Sequence, residues 1–384
     1  MRNRLLPPLG AVIAFMVSAV CAEARGLTVL HDFAGPPGDG SYPYNNVSID
    51  AAGDILGTAN LGGGTNSGII FRIAPDGSET VLHSFDGAKG GSDPNAGVTI
   101  DPATGDLYGT TTFGGKAYCR NGCGVLYRLA ANGKYSVLRS FDVGKFGFWP
   151  AGQLLRDDHG NLFGVATAGG PAENGTVFEY SARGKFKVLH TFADTDGTEP
   201  QGNLIADKAG NLYGVTNSGG TKETGTVFKL TQKGTLTTLY NFTGGADGGY
   251  PTGGLALDSA GNLYGATNLA GNGTTPFGTV FRLAPDGTLT TLYTFTGGND
   301  GGYPAGNVLL HGKKIYGTTT EGGKGQNGVV YAVDPASGTE TIVHSFTGTD
   351  GAVPQAGLTG NHGTLYGTAS GGGTEDLGVV FSLK

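Results

Sequence analysis

A strand-like pattern, T-x-L-x-x-F, recurs seven times along this chain. Successive copies lie 50 to 56 residues apart, at Thr28–Phe33, Thr80–Phe85, Ser136–Phe141, Lys187–Phe192, Thr237–Phe242, Thr290–Phe295 and Thr341–Phe346. A regular period of this length is typical of proteins that stack copies of one supersecondary unit. The pattern therefore predicts a single repeat array, which we place in residues 25–384.

Each repeat contains four short apolar runs separated by turns. In the copy from Pro200 to Phe242, the four runs end near Asp207, at Gly214, at Leu230 and at Phe242. Glycine supplies 74 of the 384 residues, as expected where many tight turns need backbone conformations that other residues avoid. No segment after residue 24 shows a sustained helical period. The repeat is therefore predicted to be a four-stranded antiparallel unit in an all-β protein.

The two ends of the array are complementary. The array begins with a fourth-type strand alone, Leu27–Phe33, and ends after a third-type strand, Gly378–Leu383. Pairing these two strands would close a ring and remove the exposed sheet edges that favour aggregation. We therefore predict a seven-bladed β-propeller of four-stranded blades, closed by the N-terminal strand completing the last blade.

The first 24 residues differ in kind from the repeats. Arg2 and Arg4 precede an apolar stretch that ends near Val20, and Ala22-Glu23-Ala24 follows it. This order predicts a secretory signal peptide, residues 1–24, and hence a secreted, periplasmic or cell-surface protein. An uncleaved anchor helix is the alternative, although the apolar core is short for a membrane span. No membrane span is expected in the mature chain.

Cysteine spacing and charge limit the remaining possibilities. Cys119 and Cys123 form a C-x3-C pair, which in an oxidising compartment predicts a disulfide within one loop. The net charge of −7 provides no basic surface for nucleic acid. No cofactor and no metal are expected; Ca²⁺ is a weak alternative, because the loop carboxylates are dispersed one per blade. The protein is expected to be a monomer.

The repeat resembles a known family. The run G-x-L-Y-G-T-T, followed by G-G, G-T-V-F-x-L and T-x-L-x-x-F, occurs at 105–141 and, with small changes, at 210–242. It is similar to the GloVer-type tandem repeat of choice-of-anchor bacterial proteins. This resemblance implies export from a bacterial cell and a propeller-like array. It implies no activity, cofactor or catalytic residue.

The loop that leads into each first strand carries the candidate binding residues. Four of these loops place an aromatic residue before a proline, and three of the four also hold an Asp-Gly pair. The candidates are Tyr42, Trp149, Tyr250, Tyr303, Asp39, Asp247 and Asp300. Aromatic rings beside carboxylates suit glycans and small amphipathic ligands at a channel mouth. In the alternative, Asp-Gly forms the turn and the aromatic ring covers the proline and the neighbouring blade.

The sequence leaves several functions open. The first is an exported scaffold that binds an extracellular glycan, an envelope component or another protein. The alternative is a propeller hydrolase or lyase at the channel mouth, which needs converging acid, base or metal groups. No catalytic residue is identified, and the near-equivalence of the blades argues against an enzyme. A passive structural module of the envelope is a third possibility.

Overall fold

The structure is a computed structural model that describes residues 26–116, 119–144, 146–269 and 277–384. Within these ranges the regular structure consists of β-strands, arranged as seven four-stranded antiparallel sheets and one two-stranded sheet. The predicted all-β, seven-bladed propeller is confirmed. None of the described residues forms a helix long and apolar enough to cross a membrane. The predicted signal peptide lies outside the described residues.

We name the strands of each blade, from the axis outward, inner, second, third and outer. In blades 1–6 this is also their order in the sequence. Blade 1 contains Ser48–Ile49, Ile55–Ala59, Ile69–Ile73 and Glu79–Ser84. Blade 2 contains Thr99–Ile100, Leu107–Thr111, Val125–Leu129 and Tyr135–Ser140. Blade 3 contains Phe148–Arg156, Leu162–Ala168, Thr176–Tyr180 and Phe186–Thr191. Blade 4 contains Thr198–Ala206, Leu212–Ser218, Thr226–Leu230 and Leu236–Asn241.

The remaining blades follow the same order. Blade 5 contains Ala256–Leu257, Leu263–Thr267, Thr279–Leu283 and Leu289–Thr294. Blade 6 contains Gly302–His311, Lys314–Glu321, Val329–Val333 and Glu340–Ser345. Blade 7 contains Thr359–Asn361, Thr364–Ala369, Val379–Leu383 and the N-terminal strand Leu27–Asp32. The two-stranded sheet joins Gly40–Ser41 to Leu61–Gly62.

The N-terminal strand closes the ring. Leu27–Asp32 pairs antiparallel with Val379–Leu383, so that Leu27 lies opposite Leu383 and Asp32 opposite Val379. Blade 7 therefore has the same four strands as the others, although its outer strand comes from the other end of the sequence. This is the predicted closure.

One aromatic pair is repeated at every interface between blades. The phenylalanine that follows an outer strand meets, edge to face, the aromatic residue of the next blade's third strand at 5.0 to 5.4 Å between ring centroids. The pairs are Phe33–Phe71, Phe85–Tyr127, Phe141–Phe178, Phe192–Phe228, Phe242–Phe281, Phe295–Tyr331 and Phe346–Phe381. All of these rings are buried, and aromatic pairs in this geometry stabilise the packing beyond their buried area. The hydrophobic core is therefore a ring of seven equivalent interfaces.

The inner strands are less regular than the sequence pattern suggests. Those of blades 3, 4 and 6 have nine or ten residues, whereas those of blades 1, 2, 5 and 7 have two or three. The long strands are themselves bulged: in blade 4 the register shifts between Gln201 and Ile205, around Gly202, whose φ is +71°. A Cβ atom on Gly202 would collide with the backbone of Gly253 and Gly254. Neighbouring inner strands thus touch at the axis, where side chains have little room.

The predicted disulfide is present. Cys119 and Cys123 are bonded, with their Cα atoms 5.2 Å apart. Both lie in the loop between the second and third strands of blade 2, so the bond constrains one loop.

Candidate functional site

The residue before each loop proline has an unusual backbone. In all seven blades it is a non-glycine residue with φ between 52° and 58°: Tyr42, Asp93, Trp149, Glu199, Tyr250, Tyr303 and Val353. We call these the rim residues. Left-handed conformations cost non-glycine residues roughly 1–2 kcal/mol, and for a β-branched residue such as Val353 they are rare.

Hydrogen bonds between blades hold the rim residues in place. Each rim N–H donates to a carbonyl in the loop before the previous blade's third strand, at 2.8 to 3.1 Å. Tyr250, for example, donates to Thr224 at 2.8 Å, and its neighbour Pro251 packs against Gly225. Because this arrangement is repeated seven times, the rim residues occupy equivalent positions around one face of the propeller.

The four predicted aromatic residues are all members of the rim. Trp149 is 40% exposed and meets Phe113 of the preceding blade edge to face at 6.4 Å. Tyr303 packs against Phe277 at 5.4 Å. The partner rings fix the orientation of these side chains and leave part of each surface accessible. A rim ring such as that of Trp149 can therefore pack against the neighbouring blade and still be accessible to a ligand.

The three predicted carboxylates serve the turns. Asp247 accepts hydrogen bonds from the Tyr240 hydroxyl at 3.0 Å and from the backbone and side chain of Thr243. Asp300 has the corresponding partners Tyr293 and Thr296. A binding role for these two carboxylates stays a prediction.

Asp39 has the same type of surroundings. It accepts hydrogen bonds from His31 and from the backbone N–H groups of Ala34 and Gly40. Burial opposes ionisation of Asp39, but these hydrogen bonds hold its pKa below the ordinary value. A role for Asp39 in ligand binding likewise stays a prediction.

Inside the rim, the axis opens into a cavity of about 390 Å³, which we call the axial funnel. Its side chains are mostly amides and hydroxyls, among them Tyr44, Asn95, Gln201, Thr252, Asn268 and Gln355. None of the described residues that line it is charged. The funnel therefore offers many neutral hydrogen-bonding groups and no fixed charge.

Side-chain amides join the blades at the floor of the funnel. Asn203 Oδ1 accepts from the Gln153 N–H at 2.7 Å, and Asn46 Oδ1 accepts from the Gly357 N–H at 2.9 Å. Gln153 Nε2 donates to the Val98 carbonyl at 2.6 Å. These bonds connect residues from different blades, so the funnel is preorganised by the ring itself.

A second cavity of about 400 Å³ lies beside the funnel, and we call it the side pocket. It is lined by Tyr42, Tyr44, Asn60, Leu61, Asp93, Asn95 and Gln355, of which Tyr44, Asn95 and Gln355 also line the funnel. Asp93 and Asn60 are absent from the sequence-based candidates, which require an aromatic residue at the rim. Alignment of the loop prolines alone would have found Asp93.

The described residues contain no cluster of potential metal ligands. Across them, no group of three or more His, Cys, Asp or Glu side chains comes close enough to hold a metal ion.

Comparison with solved structures identifies the fold. The chain is similar to the extracellular domain of a protein from B. thetaiotaomicron described as a hybrid two-component system, with 12% identity and a TM-score of 0.57. That match covers 94% of this chain and 42% of the other. A Bacteroides uniformis protein described as a 6-phosphogluconolactonase matches at 16% identity and a TM-score of 0.54, covering 82% and 88% of the two chains. At these identities the likeness concerns the fold alone.

Comparison of sequences assigns the family. No curated protein matches this chain. A family model for the Gloeobacter/Verrucomicrobia repeat matches residues 15–222 and again residues 202–384. Together the two matches span nearly the whole chain, in agreement with the resemblance found in the repeats. The chain belongs to the Gloeobacter/Verrucomicrobia repeat family.

Proposed function

We propose that this protein is an exported binding protein whose rim and axial funnel take up a neutral carbohydrate. The observation that carries the proposal is the combination of an uncharged, amide-lined funnel with a surrounding rim in which four of seven residues are aromatic. A volume of about 390 Å³ lies within the range of small-ligand sites.

The chemistry of the lining suits hydroxyl groups. A sugar hydroxyl both donates and accepts hydrogen bonds, and the side chains of Asn, Gln and Thr do the same. Aromatic side chains supply large rigid contact surfaces for the apolar faces of sugar rings. An uncharged lining offers no compensation for the desolvation of an ionic ligand, which therefore binds less well.

Backbone strain at the rim also supports a binding role. Glycine adopts positive φ without penalty, yet all seven rim positions carry a side chain. Such strain is concentrated at functional sites in proteins, where the side chain is needed in that place. Seven strained positions around one mouth are consistent with a surface that presents side chains to a ligand.

A glycan array followed by calorimetry of the best-binding oligosaccharide tests the proposal. Two altered proteins, a Trp149→Ala/Tyr250→Ala/Tyr303→Ala rim variant and a Gln201→Ala/Thr252→Val funnel variant, are expected to lose at least tenfold in affinity. Val137→Ala serves as the control, because Val137 is exposed on an outer strand of blade 2. Binding that is unchanged in both altered proteins would place the site elsewhere, and an array without any bound glycan would refute the proposal.

The same experiment addresses the hydrolase or lyase alternative. The described lining of the funnel contains no carboxylate or imidazole to act as general acid or base. We expect the bound oligosaccharide to be recovered intact after prolonged incubation, with chromatography of the products as the readout.

A further inference from the structure

We infer that the side pocket is a second sugar-binding subsite, in which the Asp93 carboxylate, held by Asn60, accepts a hydrogen bond from a hydroxyl group of one neutral ring. This inference rests on the proposed carbohydrate binding and assigns the residues that select the ligand.

The first evidence is a buried amide that holds the Asp93 carboxylate at the pocket wall. Asn60 is only 5% exposed, and its Nδ2 donates to Asp93 Oδ1 at 2.6 Å. The Oδ1 atom of Asn60 is buried away from the pocket and has no hydrogen-bond partner among the described residues. Buried polar atoms without a partner are uncommon in folded proteins because each costs free energy. This cost is tolerated at Asn60, whose amide positions the Asp93 carboxylate.

The second observation is the position of the Asp93 carboxylate. Asp93 is held at φ 58°, with its N–H bonded to the Ser67 carbonyl at 3.0 Å and its own carbonyl accepting from Thr112. The hydrogen bond from Asn60 engages Oδ1 alone. The carboxylate is thus fixed by backbone and side chain, and Oδ2 has no such bond within the described part of the chain.

The electrostatics of the pocket favour neutral donors over anions. Burial raises the pKa of Asp93 above its ordinary value, although the hydrogen bond from Asn60 opposes this. Burial and the nearby Asp93 charge also raise the pKa of Tyr44. A partly desolvated carboxylate forms strong hydrogen bonds with hydroxyl groups and repels a second carboxylate. Uronic acids are therefore disfavoured.

The remaining walls complete a sugar-sized site. Tyr42 and Tyr44 lie nearly parallel, with an interplanar angle of 15° and centroids 6.4 Å apart, and Leu61 adds an apolar surface. Tyr44, Asn95 and Gln355 line both cavities, so the side pocket lies directly beside the funnel. Two adjoining subsites fit two adjacent units of an oligosaccharide.

The test compares two aspartates, one in the side pocket and one outside the rim and both cavities. Asp93→Asn removes the charge while keeping an acceptor for Asn60, and asparagine tolerates the left-handed conformation. Asp158→Asn makes the same change in the turn between the inner and second strands of blade 3, where the side chain is exposed and lines neither cavity. Thermal unfolding verifies that both altered proteins are folded.

The probes are cellobiose, maltose, lactose and N,N′-diacetylchitobiose, with a hyaluronate disaccharide as the anionic probe, all titrated by calorimetry. For the neutral disaccharide that the unaltered protein binds best, Asp93→Asn is expected to lose roughly tenfold or more in affinity and to improve relative binding of the anionic probe. Asp158→Asn is expected to stay within about twofold, because an exposed charge away from the rim and both cavities contributes little.

Two outcomes would overturn the inference, and they are distinguishable. If Asp93→Asn binds the neutral probe like the unaltered protein while Gln201→Ala/Thr252→Val does not, carbohydrate binding stands and the subsite is wrong. If the unaltered protein binds none of the five probes and no glycan on the array, the subsite and the proposed function fall together.

Discussion

The buried carboxyl group of Glu340 makes a specific prediction about pH and stability. Glu340 is the first residue of the outer strand of blade 6, and its Oε1 has no hydrogen-bond partner among the described residues. Burial, followed by the nearby negative charge of Asp300, raises its pKa from 4.5 to about 7. The folded protein therefore favours the protonated form of this side chain.

The direction in which stability changes with pH follows from the difference between the pKa of Glu340 in the folded and unfolded states. In the unfolded chain Glu340 loses its proton near pH 4.5, whereas in the folded protein it does so near pH 7. The stability contributed by the protonated group is full below about pH 4.5 and is lost as the pH rises through about 7. The difference corresponds to about 3 kcal/mol for a fully buried group. Because Glu340 is only partly buried, solvent screening reduces this to about 1–2 kcal/mol.

Glu340→Gln removes the charge and tests this reasoning. Urea unfolding followed by fluorescence is expected to show a gain of about 1–2 kcal/mol at pH 8 and little change at pH 4.5. Glu79→Gln is the matched control at the same position of blade 1. Burial and Asp39 raise the pKa of Glu79 as well, but His31 opposes the shift, so its gain is expected to be smaller. If Glu340→Gln and the unaltered protein give parallel curves of stability against pH, the carboxyl group carries no such penalty.

Two further predictions concern backbone strain and the disulfide. Val353→Asn is expected to stabilise the protein by about 1 kcal/mol, because asparagine adopts the left-handed conformation more readily than a β-branched residue. Chemical denaturation measures this gain in the free energy of unfolding. A loss of stability would show that the apolar contacts of Val353 outweigh the backbone strain. Replacing Cys119 and Cys123 together by serine is expected to cost about 2 kcal/mol, since the bond closes a loop of only a few residues. Differential scanning calorimetry of the altered and unaltered proteins measures it, and an inability to fold would contradict the estimate.

The fold could be predicted from the sequence because the same packing problem is solved seven times. Each third-strand aromatic residue, such as Phe228, recurs at one position of the repeat and meets an equivalent partner, here Phe192. Ring closure followed from the complementary ends of the array. The bulges around Gly202 and the short inner strands were not predicted, because they depend on how closely the backbones approach the axis.

The candidate site could be predicted only in part. The four aromatic rim residues were identified, but Asp93 and Asn60 were not, because the candidates were the loops with an aromatic residue before the proline and the aspartates of their Asp-Gly pairs. Their hydrogen bond joins blade 1 to blade 2 and depends on the angle between the blades. A pattern shared by all repeats indicates contacts that recur in every blade, such as Phe192–Phe228, but not a contact between two particular side chains.

The outer and axial edges of the blades differ in how they accommodate sequence variation. At the outer edge, a different residue in the outer strand is accompanied by a different contact partner in the loop that follows. His190 and His344 form hydrogen bonds with Asp196 and Asp350, whereas Arg139 lies over the ring of Phe146 at 4.0 Å.

The backbone of the rim is held in the same way in every blade, because each rim N–H makes the same hydrogen bond whatever side chain the residue carries. The rim can therefore change its side chains without changing the ring. If the proposed function is right, exchanging rim residues between members of this family transfers ligand preference while leaving the unfolding temperature almost constant, since the fold depends on the aromatic interfaces.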